Sequence, residues 1–326
     1  MRRAACSGLS LVELMVALAL GLMLIMACGS IYLNSAANAH STIGVSRTQE
    51  AARVAMELIG QDLRGAGDTL CDNRHAVVNL LAQRDSLFWQ TLSEPVRGAD
   101  EASSGQVFQM PALDSGTAEA ERLAGTESIR LWTLTPLQLS VTDTAQSTHP
   151  IPVTGVDTPA VGDALLVCDF KVTTLLRVTA TGAAIGHAAP ANCVDYFVRA
   201  NACAGAMPPL ATMQRYGPDT AMALPEQVRW YVGTGPDKRA ALYRSVVRDG
   251  IPARAAAIVP GIDSFQLRYL VRGGSRYVTA AEVPDAEWHN VTAVSVRFSV
   301  VPQLPGRTGD TAARHFQHTF QIRSRS

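Results

Sequence analysis

Length, composition and charge set the first limits on this chain. It has 326 residues, and its 28 lysines and arginines balance 28 acidic residues. Because the formal charge cancels, no overall electric field attracts nucleic acid, and we expect none among the partners. The chain is 47% hydrophobic, so it can bury a core, and its length allows one large domain or two smaller ones behind an N-terminal segment.

A long apolar segment follows Arg2 and Arg3. From Leu14 to Leu33 only two glycines and one serine interrupt the apolar residues. A helix of this length spans about 30 Å, which matches the hydrocarbon core of a bilayer. The positive-inside rule leaves the N-terminus in the cytoplasm and places the rest of the chain outside. A cleaved signal peptide is the alternative, because "NSAANA" at 34–39 offers small residues for cleavage.

One carboxylate, Glu13, lies directly before this apolar run. An ionised group in a bilayer costs about 2.5 to 3.5 kcal/mol on insertion scales, so it either marks function or reaches the interface by snorkelling. Glu13 is the fifth residue after Gly8, and the residues between them are mostly apolar. This order resembles the N-terminus of type IV pilin-like precursors, in which the first mature residue is usually phenylalanine and here is Leu9.

The resemblance implies three properties of the N-terminus. A prepilin peptidase of the inner membrane would cut the chain between Gly8 and Leu9 and methylate the new N-terminus. Glu13 would then pair with the N-terminal amine of a neighbouring subunit, so that two charges neutralise each other when helices assemble.

The helical pattern continues beyond the apolar segment. Four apolar residues step by four, three and four along one stripe: Ala52, Met56, Ile59 and Leu63. The sequence therefore predicts one long helix from about Leu9 to Arg64 that ends at the glycines of 65–67. A coiled-coil stalk is the alternative, but so short a stripe favours docking on the chain's own globular domain.

Alternating apolar residues replace the helical pattern in the second part of the chain. The predicted strands are 128–134, 164–170, 173–180, 227–233, 240–247, 264–271, 291–301 and 315–323. This pattern indicates a mostly antiparallel sheet with one face in water. The stretches 68–126 and 135–162 are less regular and fit long loops or an elaborated subdomain. We expect an α+β, pilin-like fold, in which a long helix packs on the sheet.

The C-terminal region supports a narrower resemblance. The segments "RWYVG", "ALYRSV" and "VPGIDSFQLRYLV" occur in order, followed by Trp288 before "VTAVSVRFSV" and by a terminal "RHFQHTFQIRSRS". This order resembles the PilW family of minor pilins, which is related to the J-type minor pseudopilins of type II secretion. The resemblance implies a subunit present in few copies that primes type IV pilus assembly, and so supports twitching motility. Its partners would be other minor pilins and the major pilin at the pilus tip, with a tip adhesin as a further candidate.

On this basis the chain divides into four parts. They are the leader peptide 1–8, the membrane-spanning half of the helix 9–34, its amphipathic half 35–66, and a β-rich periplasmic domain 67–326. A J-type pseudopilin of a type II secretion system is the alternative identity. A membrane-anchored periplasmic enzyme or binding module is a further one, in which the apolar helix is only a tether.

Four of the six cysteines would lie on the exported side: Cys71, Cys168, Cys193 and Cys203. An even number in an oxidising compartment predicts two disulfides. Local spacing favours Cys193 with Cys203, which leaves Cys71 with Cys168 by elimination, although four cysteines permit three connectivities. A zinc site is the alternative, but the chain offers no CxxC pair or histidine cluster.

Residue types that carry catalysis are scattered. His315 and His318 lie three apart, which on a strand places them on opposite faces, so they do not chelate one ion. The four tryptophans suit either a sugar-stacking surface or a sheet core, and the core is favoured: Trp89, Trp132, Trp230 and Trp288. We therefore expect a structural protein with no catalytic residue, metal or cofactor.

Overall fold

The structure is a computed structural model. It describes residues 11–68, 70–71, 77–100, 113, 115–200, 203, 207–301 and 313–322. The predicted cleavage site at Gly8 and Leu9 lies outside these residues. The chain divides into two compact units, 1–50 with 302–312 and 51–301 with 313–326, and the division falls inside the first helix.

The first helix, α1, runs from Leu11 to Gly65 over 55 residues. Its first half is rich in leucine, alanine and methionine, which are strong helix formers, and no proline interrupts it. The helix ends in a glycine-rich turn, where Gly67 has φ +77° and donates its N–H to the carbonyl of Trp132 at 3.1 Å. A short helix, α2 (Leu87–Gln90), follows. Short 3₁₀ turns lie at Thr91–Ser93, Leu210–Thr212, Ala280–Glu282 and Asp285–Asn290.

The described residues contain fifteen strands. The first eight are β1 (Val77–Asn79), β2 (Val96–Ala99), β3 (Ser128–Pro136), β4 (Leu139–Val141), β5 (Ile151–Gly155), β6 (Ala164–Cys168), β7 (Thr173–Arg177) and β8 (Ala184–Ile185). The others are β9 (Ala221–Thr234), β10 (Ala240–Arg248), β11 (Ile251–Pro252), β12 (Ala256–Pro260), β13 (Ile262–Val271), β14 (Val291–Val300) and β15 (Arg314–Gln321).

The largest sheet is built around β9. Its main path is β1-β7-β6-β9-β10-β11, with β12 beside β10 and with β3 and β2 on the other side of β9. Among the described strands only β1 and β7 pair in parallel within this sheet. Two smaller sheets have the orders β13-β14-β15 and β4-β5-β8, and both are antiparallel. The expected α+β fold with a mostly antiparallel sheet is confirmed.

The main core lies where the C-terminal part of α1, the large sheet and the β13–β15 sheet meet. Ile59 and Leu63 of the helix pack there with Trp230 of β9, Leu267 of β13 and Phe298 of β14. All five side chains are fully buried. The domain-docking interpretation of the helical stripe is therefore supported over a coiled-coil stalk.

The expectation of one wet sheet face is wrong for the large sheet. Its second face is covered by an aromatic cluster in which Phe88 lies 4.9 Å from both Trp89 and Trp132, measured between ring centroids. A separate core around Phe197 and Tyr216 covers the opposite face of β6 and β7, because Leu165 and Leu176 point into it whereas Ala164 and Leu175 point into the aromatic cluster. The stretches 68–126 and 135–162 supply much of the covering chain, so they include an elaborated subdomain as well as loops.

Several strand ends differ from the prediction, and two of them do so for clear local reasons. The strand predicted at 164–170 stops at Cys168, because the Asp169 carboxylate accepts the N–H groups of Lys171 and Val172 and turns the chain. The strand predicted at 227–233 begins earlier, at Ala221. Pro225 argues against a strand in the sequence. The structure accommodates this proline because, among the described residues, 224–226 of β9 have no strand partner on the side away from β3.

Candidate functional site

The most distinctive surface in the N-terminal unit is an apolar helix. Residues Leu11–Ser35 have a mean hydropathy of 2.5 over their most apolar stretch, and none of that stretch is buried. At 1.5 Å per residue the segment is about 37 Å long, which exceeds the roughly 30 Å hydrocarbon core of a bilayer. By length and composition this helix can cross a membrane.

Glu13 lies in the first turn of this helix. The aligned peptide dipoles favour a negative charge at this end of a helix. Val16 and Ala17, three and four residues further on, share its side of the helix, and all three residues are exposed. The carboxylate therefore projects from an apolar surface. In a hydrocarbon environment an ionised carboxylate is stabilised when a cation lies beside it.

The C-terminal part of the helix packs into the globular unit through small side chains. Ala52, Ala55, Ile59 and Leu63 are buried, whereas Met56 is only partly buried. The predicted stripe placed Met56 in the core and omitted Ala55. The difference arises because the sheet approaches the helix closely, and alanine fits where methionine does not.

Gly60 marks a close approach of helix and sheet. A side chain at this position would fall against the ring of Phe320 on β15. The guanidinium of Arg64, one turn further on, lies over the same ring at 6.0 Å from its centroid. Little in the sequence indicates this contact, because glycine inside a helix usually means only that the helix is less stable there.

Asp62 ties the helix to two strands, and sequence reasoning missed it. Its Oδ2 accepts a hydrogen bond from Trp230 Nε1 at 2.8 Å. Arg244 on β10 donates from Nε to Oδ2 at 2.8 Å and from Nη2 to Oδ1 at 3.0 Å. The hydrogen bond to Asp62 raises the pKa of Arg244 above its usual value, against the opposing effect of burial. In the sequence, the only indication of this contact is that the acidic Asp62 stands next to Leu63 of the apolar stripe.

Two arginines that the alternation placed on a wet face are buried. Arg130 on β3 and Arg229 on β9 lie opposite each other, and Arg130 Nη2 donates to Glu94 Oε2 at 2.6 Å. Burial lowers the pKa of each arginine to about 10, and the charge of Arg130 contributes to the shift of Arg229. Both side chains remain charged at neutral pH, so this face of the sheet is polar although it is covered.

Two disulfides join the pairs that cysteine spacing favours. Cys71 is bonded to Cys168 and Cys193 to Cys203. The first bond attaches the chain just after α1 to the end of β6, and the second closes a short loop. Cys28 is free and lies in the exposed apolar helix.

The remaining candidate residues are not grouped into one site within the described part of the chain. No group of three or more metal-binding side chains occurs among the residues that the structure describes. His315 and His318 are both exposed on β15. All four tryptophans are buried, which supports the core interpretation over a sugar-stacking surface.

A cleft of about 570 Å³ lies where β9 is unpaired between β6 and β10. Its charged groups include Arg248 and Asp249, which are bonded to Glu226 and Arg177 respectively. Its other walls are largely apolar, and no nucleophile and base face each other among the residues that line it.

Comparisons with known families match both ends of the chain. Residues 3–29 match the prokaryotic N-terminal methylation motif. Residues 229–321, from within β9 through β15, match the family described as type IV pilus-assembly protein W, PilW. No curated protein and no solved structure is significantly similar to the chain. PilW is a pilus-assembly family rather than an enzyme family. The resemblance read from the sequence is thereby confirmed: the chain combines a prokaryotic N-terminal methylation motif with a PilW-family pilus-assembly domain.

Proposed function

We propose that this protein is a minor pilin that assembles through its N-terminal helix. The observation that carries the proposal is the position of Glu13, in the first turn of an exposed apolar helix that overlaps the methylation motif. A simple membrane tether has no need of a carboxylate there. An assembling helix does, because the charge fixes its position against a neighbour.

The physical argument concerns the cost of an ionised group in lipid. Insertion scales assign about 2.5 to 3.5 kcal/mol to such a group at the centre of a bilayer. Cleavage between Gly8 and Leu9 would create an α-amino group on Leu9, four residues before Glu13 in sequence. The amine of a neighbouring subunit would neutralise Glu13, whereas a helix shifted along its axis would leave both charges unpaired.

The same proposal specifies how the N-terminus is processed and how the chain is oriented in the membrane. A prepilin peptidase in the inner membrane removes residues 1–8 and methylates Leu9. Arg2 and Arg3 keep the leader in the cytoplasm, and the β-rich domain lies in the periplasm. Both disulfides then form on the oxidising side of the membrane, where such bonds persist.

The protein would act in the complex that primes the pilus and remains at its tip. Its partners there are other minor pilins and the major pilin. The PilW match favours a pilus over a type II secretion system, the setting of the J-type pseudopilins.

Mass spectrometry of the mature protein from its host tests this proposal. We expect a chain that begins at Leu9 and carries one N-terminal methyl group. A chain that retains Met1 would contradict the proposal, because its amino group would lie eight residues out of place. A chain that begins near Ala37 to His40 would contradict it too, since an ordinary signal peptide would then explain the apolar helix.

A further inference from the structure

Strand β15 forms an open edge of the three-stranded sheet. No strand pairs with its outer side among the residues that the structure describes. Its eight residues pair with β14 in unbroken antiparallel register, from Arg314 opposite Val300 to Gln321 opposite Ala293. The edge is therefore long and regular.

The hydrogen-bond pattern shows which main-chain groups point outward. Ile322 donates its N–H to the carbonyl of Thr292 at 2.8 Å. In an antiparallel pair, residues that exchange hydrogen bonds alternate with residues whose N–H and C=O groups point away. Counting back from Ile322, the outward residues are His315, Gln317, Thr319 and Gln321. All four are exposed.

Two other edge strands of the described sheets, β13 and β11, are protected. On β13, the Glu127 carboxylate accepts the N–H of Leu267, and Tyr269 exchanges hydrogen bonds of 2.8 and 2.9 Å with Val278. Strand β11 has only two residues, one of them Pro252. Proteins commonly protect sheet edges with short strands, prolines, lysines and bulges. Strand β15 has none of these devices.

The edge is also held rigidly. Phe320 is buried in the main core, and its ring lies against Gly60 of α1. Phe316 is partly buried against the same core, 5.9 Å from Phe298 between ring centroids. A strand that is already ordered loses little conformational entropy when it accepts a partner.

The charges along the edge indicate what kind of strand it accepts. Strand β15 carries Arg314, His315 and His318 and no carboxylate. Arg297 is exposed on the adjacent strand, opposite Gln317. Cross-strand pairs of opposite charge stabilise a sheet, and like charges destabilise it. Acidic side chains therefore suit the partner, whereas a second copy of β15 would bring basic groups together.

We propose that the outer edge of β15 binds an extended, acidic segment of another pilin subunit, which adds a fourth strand to the sheet. The inference rests on the proposed assembly function and identifies the surface by which the globular domain joins its neighbour. The main chain of His315 to Gln321 supplies the hydrogen bonds, and the basic side chains favour an acidic partner.

Amide hydrogen exchange of the full-length protein in detergent, alone and with the other minor pilins of its host, tests the pairing. We expect the outward amides of β15 to exchange at least tenfold more slowly in the complex. Thr319→Pro removes one outward N–H and leaves the bonds to β14 intact, so we expect at least tenfold weaker co-purification. Thr319→Ala keeps the N–H and should bind within twofold of the wild type.

Two further variants guard against misfolding and test the charge. Gln317→Pro removes the next outward N–H and should reproduce the loss, while exchange in β13 shows that the sheet remains folded. Arg314→Glu should weaken binding more than Arg314→Gln. Equal binding by Thr319→Pro and Thr319→Ala would overturn the proposal, as would protection that rises with the concentration of the isolated protein. If either result is obtained and the mature chain begins at Leu9, only the proposed strand pairing at β15 is overturned. The proposed assembly function then still stands.

Discussion

Asp62 joins α1 to β9 and β10 through hydrogen bonds to Trp230 and Arg244. Its side chain is only 12% exposed, so the loss of its charge would leave Arg244 without its ionic partner in a mostly dry setting. We expect Asp62→Asn to lower the free energy of unfolding by about 2 to 3 kcal/mol. Urea unfolding, followed by tryptophan fluorescence, measures the change.

Glu57→Gln is the matched control on the same helix. Glu57 and Arg53 lie 3.8 Å apart, and both side chains are mostly exposed. Exposed pairs contribute little, so we expect a change below about 0.5 kcal/mol. Equal losses in the two variants would show that Asp62 does not anchor the helix.

His187 predicts a pH dependence of stability. Burial lowers its pKa below the ordinary 6.5, and its Nε2 lies 3.0 Å from the carbonyl of His149. As the pH falls below about 6.5, the unfolded chain binds this proton before the folded chain does. The stability contribution of neutral His187 is therefore complete above that pH and is lost below it.

The expected slope has an upper limit of about 1.4 kcal/mol per pH unit, because one proton is involved. Unfolding free energies measured between pH 7 and pH 5 should fall less steeply in His187→Gln than in the wild type. Identical slopes in the two proteins would rule out His187 as the group responsible.

At the scale of whole elements, periodicity predicted the long helix and eight of the fifteen described strands. The seven strands that it missed have two to five residues each, as in β1 and β11, and so short a segment seldom shows a clear period. The wet sheet face was wrongly predicted because alternation identifies polar positions such as Arg130 and Arg229, whereas the residues that cover them come from other parts of the chain. Asp62 was missed for a related reason, since its partners lie 168 and 182 residues away.

The two disulfides should differ in their effect on stability. They close loops with sequence separations of 97 and 10. In the chain-entropy model, the longer loop stabilises the folded state by about 2 kcal/mol more than the shorter one. We expect replacement of Cys71 and Cys168 by serine to lower the unfolding free energy by that much more than replacement of Cys193 and Cys203. A larger loss from the short loop would contradict this reading.

At the scale of the whole molecule, the chain joins an apolar helix to a β-rich domain that carries its own cores. The PilW match covers β10 to β15 and part of β9, which includes the open edge of β15. The subdomain around Phe197 and Tyr216 lies outside that match. The helix therefore supplies the proposed attachment to the pilus, and the edge of β15 supplies the proposed contact between globular domains.

Incorporation of a Glu13→Leu variant into pili, in a host that lacks its own copy, tests the central claim most directly. Removing the carboxylate should ease membrane insertion by at most about 3 kcal/mol, the cost at the centre of a bilayer, so the protein should reach normal membrane levels. Because no partner amine would then be bound, we expect at least tenfold fewer pili, while the control Val16→Leu assembles normally. Normal piliation by Glu13→Leu would contradict the claim that a neighbouring subunit neutralises Glu13.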